Sequence, residues 1–230
     1  MASSGTYNFN LANSDAVLSA FARIQIKRPE ITQEHLANAA TEANLLAVDF
    51  ANRQPNLWTS ELQTLTLVPG QATYTLPSRT IMILAAYLRL SDNQGQNDRL
   101  LFPISTYEYA SYPNKQEQGT PSVFWFNRQI APQLTLWLVP DSNTVYTLEL
   151  QCVRQIQDIN LPAGETPDLP YRFLDAYVAG LAHRLSRAHA PQLEAVRKVD
   201  FQEAWAVAAT QDVENVGLYI TPDTSGWQVP

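Results

Sequence analysis

The sequence predicts an α+β chain: helices from the two ends form one bundle, an antiparallel β-sandwich or barrel is inserted between them, and an extended C-terminal tail follows. Three observations carry this. From Thr64 to Val68 and from Ala72 to Leu76, threonines alternate with Leu65, Leu67, Tyr74 and Leu76, the period-two pattern of strands with one buried face. The run from Ile81 to Leu90 is apolar at nearly every position, as in a central strand covered on both sides. On either side of this region apolar residues recur at the three-and-four spacing of amphipathic helices. The implied boundaries are an arm and helices over 1–60, a β-unit over 61–160, helices over 161–212 and a tail over 213–230.

Taken in order, residues 1–13 are small and polar and read as an arm that needs a partner to become ordered. Ser14 is a suitable N-cap and Asp15 places negative charge in a first turn, where the helix dipole favours it. Val17, Leu18, Phe21 and Ile24 follow at helical spacing, and Pro29 ends the run. A second helix starts at Thr32, with Glu34 in its first turn and Leu36, Ala39, Ala43, Leu46 and Phe50 on one stripe. Ala40, Ala47 and Ala51 beside that stripe let another helix approach closely. Pro55 stops this helix before Leu57 and Trp58. Pro69 and Gly70 then punctuate the two alternating runs, so these read as a hairpin.

After the central strand, SDNQGQN closes a second hairpin onto Arg99 to Phe102. Residues 105–120 read as a short helix or turn and a surface loop. Strands are expected over 122–126, 134–139 and 144–153, with PDSN at 140–143 supplying a tight turn between the last two. Asp168 can cap a helix whose first turn accommodates Pro170 and whose stripe is Leu174, Tyr177, Val178, Leu181 and Leu185. Ala190 and Pro191 break it. The last helix runs from about 192 to 211, with Phe201, Ala204, Trp205 and Ala208 on one face.

Composition sets outer bounds. The chain has 230 residues, 45% of them hydrophobic, and a mean hydropathy of −0.21, enough for a full core in a soluble protein. No run approaches the roughly 20 apolar residues that cross a bilayer. The first residues lack the basic start and apolar core of a signal peptide, which predicts use without export. The net charge of −7 disfavours nucleic-acid binding unless basic residues gather on one face. Cys152 is the sole cysteine and reads as a small strand side chain, a reactive thiol being the alternative.

No catalytic constellation stands out. His35, His183 and His189 form neither a HExxH pair nor a Cys/His cluster, so no metal site is expected and all three read as polar helix residues. Gly70 lacks the companions of a phosphate-binding loop, and no serine sits in a Gly-x-Ser-x-Gly elbow. Asp49, Glu108 and Asp141 are available carboxylates that nothing in the sequence pairs. Trp58, Trp125, Phe126 and Trp137 could stack on bases or sugars, but without interleaved Lys or Arg they read as core. The expectation is a protein that is not an enzyme, with no catalytic residue, cofactor or metal.

The order of elements, with ANRQPNLW at 51–58, TLTLVPGQATYTLP at 64–77, LTLWLVPDSN at 134–143 and LPYRFLDAYVAGLAHRLS at 169–186, resembles the head-to-tail connector proteins of tailed bacteriophages. These are also called adaptor, head-completion or tail tubular A proteins. The likeness runs from about Leu36 to Thr221 and departs mainly in the loop at 105–120. It implies a structural virion protein of the phage neck, assembled in the host cytoplasm. It further implies a homo-oligomeric ring, usually a dodecamer, that docks on the portal protein and receives a downstream tail or nozzle protein. DNA would pass through the lumen without specific binding, and no membrane is involved.

Beyond Val213 turn formers alternate with Leu218, Tyr219, Ile220 and Trp227. Left in water, each such side chain forgoes about 1.5–3 kcal/mol of burial. Pro222, Gly226 and Pro230 discourage a helix, so these four residues are the candidate portal-binding set, presented on an extended segment. Folding back over the β-unit is the other reading of the tail. For the whole chain, a carbohydrate- or protein-binding β-sandwich module of a phage tail is the alternative. A cell-wall hydrolase and a monomeric regulatory α+β protein are also open.

Overall fold

The computed structural model describes residues 5–6, 9–53, 57–92, 95–161 and 164–213. It is α+β. Helices α1 (Asn13–Arg23) and α2 (Gln33–Arg53) come first, and α4 (Leu174–His189) and α5 (Glu194–Gln211) come last. Between them lie β1 (Ser60–Thr66), β2 (Thr73–Thr75), β3 (Thr80–Asp92), β4 (Gly95–Pro103), the short α3 (Thr106–Ser111), β5 (Gln118–Gly119), β6 (Val123–Asn127), β7 (Gln133–Trp137), β8 (Val139–Pro140) and β9 (Val145–Arg154).

The terminal helices share one apolar core, to which α1 gives Val17 and Phe21, α2 gives Leu46 and Phe50, α4 gives Tyr177 and Leu181, and α5 gives Phe201. The stripes seen in the sequence face this core except at Leu36, which is exposed at the start of α2. Helix α4 lies at its centre, with Leu174, Tyr177, Val178, Leu181 and Leu185 all buried. Of the small residues expected to allow close approach, Ala47 is buried, Ala51 is partly buried against the core and Ala40 is only half-buried; Ala39 and Ala43 of the stripe itself are fully buried, and Gly180 of α4 lies against Leu46 and Phe201. Two caps differ from expectation. Asn13, not Ser14, opens α1 and is tied down from afar, its amide donating to the Asn160 carbonyl at 2.7 Å. Asp168 leaves α4 uncapped because its carboxylate takes the Arg154 guanidinium instead.

Seven strands form one curled sheet in the order β1-β9-β3-β4-β6-β7-β2, and β5 pairs with β8 separately. Pairing is antiparallel except for β4 with β6 and β5 with β8, which are parallel. A parallel pair needs a crossover, and α3 with the loop after it supplies one. The β3–β4 hairpin forms as expected, with Asp92 facing Gly95.

The expected β1–β2 hairpin does not form. Gly70 turns the chain at φ 81°, but its amide donates to the Pro140 carbonyl, β1 pairs with β9, and β2 pairs with β7. The two strands become opposite edges of the sheet. Its curl brings those edges together where the Tyr74 hydroxyl lies 2.9 Å from the Val68 amide and 3.2 Å from the Val68 carbonyl. Strand β3 is central in the ladder, but only one of its faces is fully covered. Ala86 and Leu88 point into the sheet core with Leu148, Leu150 and Leu136, whereas Leu84 is 51% exposed.

A β-carbon at position 180 would sit 2.9 Å from both Leu46 and Phe201. Gly180→Val is therefore expected to destabilise the protein by about 1–3 kcal/mol, the usual range for overpacking. Urea denaturation measures this, and pairing it with Leu46→Ala should recover part of the loss because the two sites share one space.

Candidate functional site

The chain leaves its helical core through a junction rich in aromatic and charged side chains. Around it the end of α2, a helical turn at Leu57–Thr59, another at Tyr171–Phe173 and the end of α5 converge. Aromatic rings fill the space: Phe50 lies 4.7 Å from Trp205, and Trp58 lies 4.6 Å from Phe173, between ring centroids. These are separations at which offset or edge-on pairs add stability beyond area burial. Arg53 stacks over Phe201 at 4.7 Å and Trp205 at 5.0 Å. Trp58 donates its indole N–H to the Asp168 carbonyl at 3.1 Å, which fixes the ring's direction.

Asp212, the residue after α5, completes the junction. Its side chain is fully buried, pairs with Arg172 and accepts the Leu57 amide at 3.2 Å. A buried carboxylate is tolerable only with such partners. Val213, the next residue, is already 67% exposed. The start of the tail is thus clamped beside the start of β1. Sequence reasoning missed Asp212 and Arg172, since no local pattern links a charge past one helix to an arginine in another turn.

The remaining candidates are accounted for by structural contacts. Asp49 pairs with Arg53 at 3.1 Å, Glu108 accepts the Ser105 amide at 2.7 Å as part of the α3 capping box, and Asp141 accepts the Tyr146 hydroxyl at 2.9 Å. Burial pushes the Cys152 thiol up to about 12, with the Glu61 charge acting in the same direction, so at neutral pH it stays protonated and unreactive. His183 contacts Glu194 at 2.9 Å, while His35 and His189 meet each other with ring centroids 4.6 Å apart. No group of three His, Cys, Asp or Glu residues is gathered to hold a metal among the described residues. Trp58 and Phe126 pack on the two cores. Trp125 and Trp137 do not: they alternate onto the outer sheet face, where Tyr109 and Tyr112 stack on them at 5.4 Å and 4.2 Å.

Residues 15–223 match the family described as SU10 adaptor protein, phage head-to-tail adaptors. The chain belongs to the SU10 adaptor family. No curated protein matches it. The family match spans both apolar cores, the Arg172–Asp212 clamp and the first part of the tail. It includes Leu218, Tyr219 and Ile220, whereas Trp227 falls after it, and all four lie outside the described residues. No described helix is long and apolar enough to cross a membrane.

Asp212→Ala would leave the Leu57 amide without its acceptor and Arg172 without its counter-charge. A loss of about 1–3 kcal/mol is expected, the range for an orphaned buried polar group. Asp212→Asn, which keeps an acceptor for the amide, should lose less in the same chemical denaturation series.

Proposed function

We propose that this adaptor-family chain is a structural, non-enzymatic virion protein of the phage neck. In this reading it forms a ring, a dodecamer by family resemblance, that docks on the portal, completes the DNA channel and offers an attachment surface to the downstream tail protein. The observation that carries this is the adaptor-family match over residues 15–223. The finer architecture belongs to the same reading: a bundle built from 1–60 and 161–212, with 61–160 as an inserted β-sandwich.

Exposed apolar side chains support a multi-sided assembly role. Leu45 and Val48 on α2, Val199 and Val207 on α5, and Leu100 and Phe102 on β4 are each about half exposed or more. Scattered exposed residues are ordinary, but a ring subunit needs unlike patches for its two neighbours, and these lie on separate elements. The stacking partners of Trp125 and Trp137 weigh against a sugar-binding sandwich, since the ring faces a sugar would need are engaged by tyrosines. In the channel, a net negative lumen would let DNA slide, because basic groups would hold phosphates through counterion release.

The tail is the proposed portal anchor, through Leu218, Tyr219, Ile220 and Trp227. Truncation tests it, and the cut belongs after Val213 so that the Asp212 clamp is kept. The expected outcome is a protein with unchanged thermal stability that no longer attaches to portal-bearing capsids. Normal attachment would assign the anchor elsewhere. For the ring, mass photometry should show a monomer or weak oligomer alone and a closed ring once portal is added; monomer in both samples would overturn the reading.

A further inference from the structure

His35 sits in the first turn of α2 in a capping box of unusual composition. Its amide donates to the Thr32 hydroxyl at 3.3 Å, and its Nδ1 accepts the Thr32 backbone N–H at 3.0 Å. The usual reciprocal partner is Glu or Gln. The Thr32 hydroxyl also lies 3.1 Å from Nδ1. A backbone N–H can only donate, so Nδ1 takes that bond only while it carries its lone pair, with the ring proton on Nε2. His189, the last residue of α4, stands edge-on to this ring at 4.6 Å and contacts the Asn38 amide through Nε2 at 3.2 Å. Phe21 of α1 lies beside both rings, at 5.7 Å and 6.1 Å. Three helices therefore meet on two imidazoles.

We propose that the His35–His189 pair is a proton-responsive latch, holding the first turn of α2 against the end of α4 when both rings are neutral and releasing it in mild acid. Protonating His35 places a donor against the Thr32 N–H and ends the capping bond. Protonating both rings sets like charges in contact. The ionisable groups facing His189 are His35, which opposes its protonation, and Glu34, which favours it; α1 contributes the uncharged Phe21 ring. Burial, then the His35 charge, hold His189 below the ordinary value of 6.5. A histidine depressed in the folded state contributes stability above its unfolded value and loses it as pH falls through that value toward the folded one. The latch thus opens on acidification from about pH 7 downward.

The test uses the full chain and His35→Gln, which keeps the capping box and cannot titrate. Hydrogen-exchange protection factors at Thr32–Leu36, with intrinsic exchange divided out, are compared from pH 7.5 to 5.0. Wild-type protection should fall by up to about tenfold per pH unit for each proton taken up, and the variant's should fall much less. The sheet amides serve as the internal reference. Nitrogen-detected NMR of the wild type reads the His35 tautomer directly, even if the variant folds poorly. An Nδ1–H tautomer at pH 7.5, or the same acid profile in both proteins, would overturn the latch.

Discussion

The contact on which the architecture depends is the one between Phe50 and Phe173, with ring centroids 6.2 Å apart although the whole sheet lies between them in sequence. The helical core can close only if the β-region starts and finishes at one place. It does, because β1 and β9 are antiparallel neighbours with Ser60 opposite Val153. Arg154 at the end of β9 reaches both Asp168 and Glu61, and Trp58 just before β1 bonds the Asp168 carbonyl. The closure entropy of joining distant helices is thus met by strand pairing that the sheet needs in any case.

What could be read from the sequence follows the range of the forces involved. Helical stripes are local, so α2, α4 and α5 are legible from spacing alone, although of the alanines beside the α2 stripe only Ala47 is buried. Strand positions were legible too, but period two says that a strand has a buried face without naming its partner. That is why the Pro69–Gly70 turn was seen while its consequence was misassigned. The partners of β1 and β2 lie in β9 and β7, and only the curl of the finished sheet selects them. The junction at Asp212 was illegible for the same reason. Its acid is local, but its partners Arg172 and Leu57 arrive through the fold.

The free edges of the sheet constrain what it can join. β1 is a seven-residue edge strand, long enough to attract another chain. Glu61 lies within it, held by Arg79 at 3.1 Å, and an edge charge of this kind discourages unplanned pairing. The other edge, β2, has three residues and is capped by the Tyr74–Val68 contacts. Exposed apolar side chains such as Phe102, Val199 and Leu45 lie instead on sheet and helix faces. Exposed apolar surface is therefore offered by the faces of the fold and not by the edges of its sheet.

Electrostatics point the same way for DNA. Many of the arginines are committed to internal carboxylates: Arg23 to Asp175, Arg89 to Asp98 and Glu149, Arg154 to Asp168, Arg172 to Asp212 and Arg184 to Glu42. Such pairs add little stability at the surface. Their larger effect is to withhold guanidinium groups from phosphate while the chain as a whole stays at −7. Binding of a polyanion by counterion release needs positive charge that faces outward, and these pairs leave less of it. The net acidity and the pairing of these arginines therefore act in one direction, against tight binding of duplex DNA.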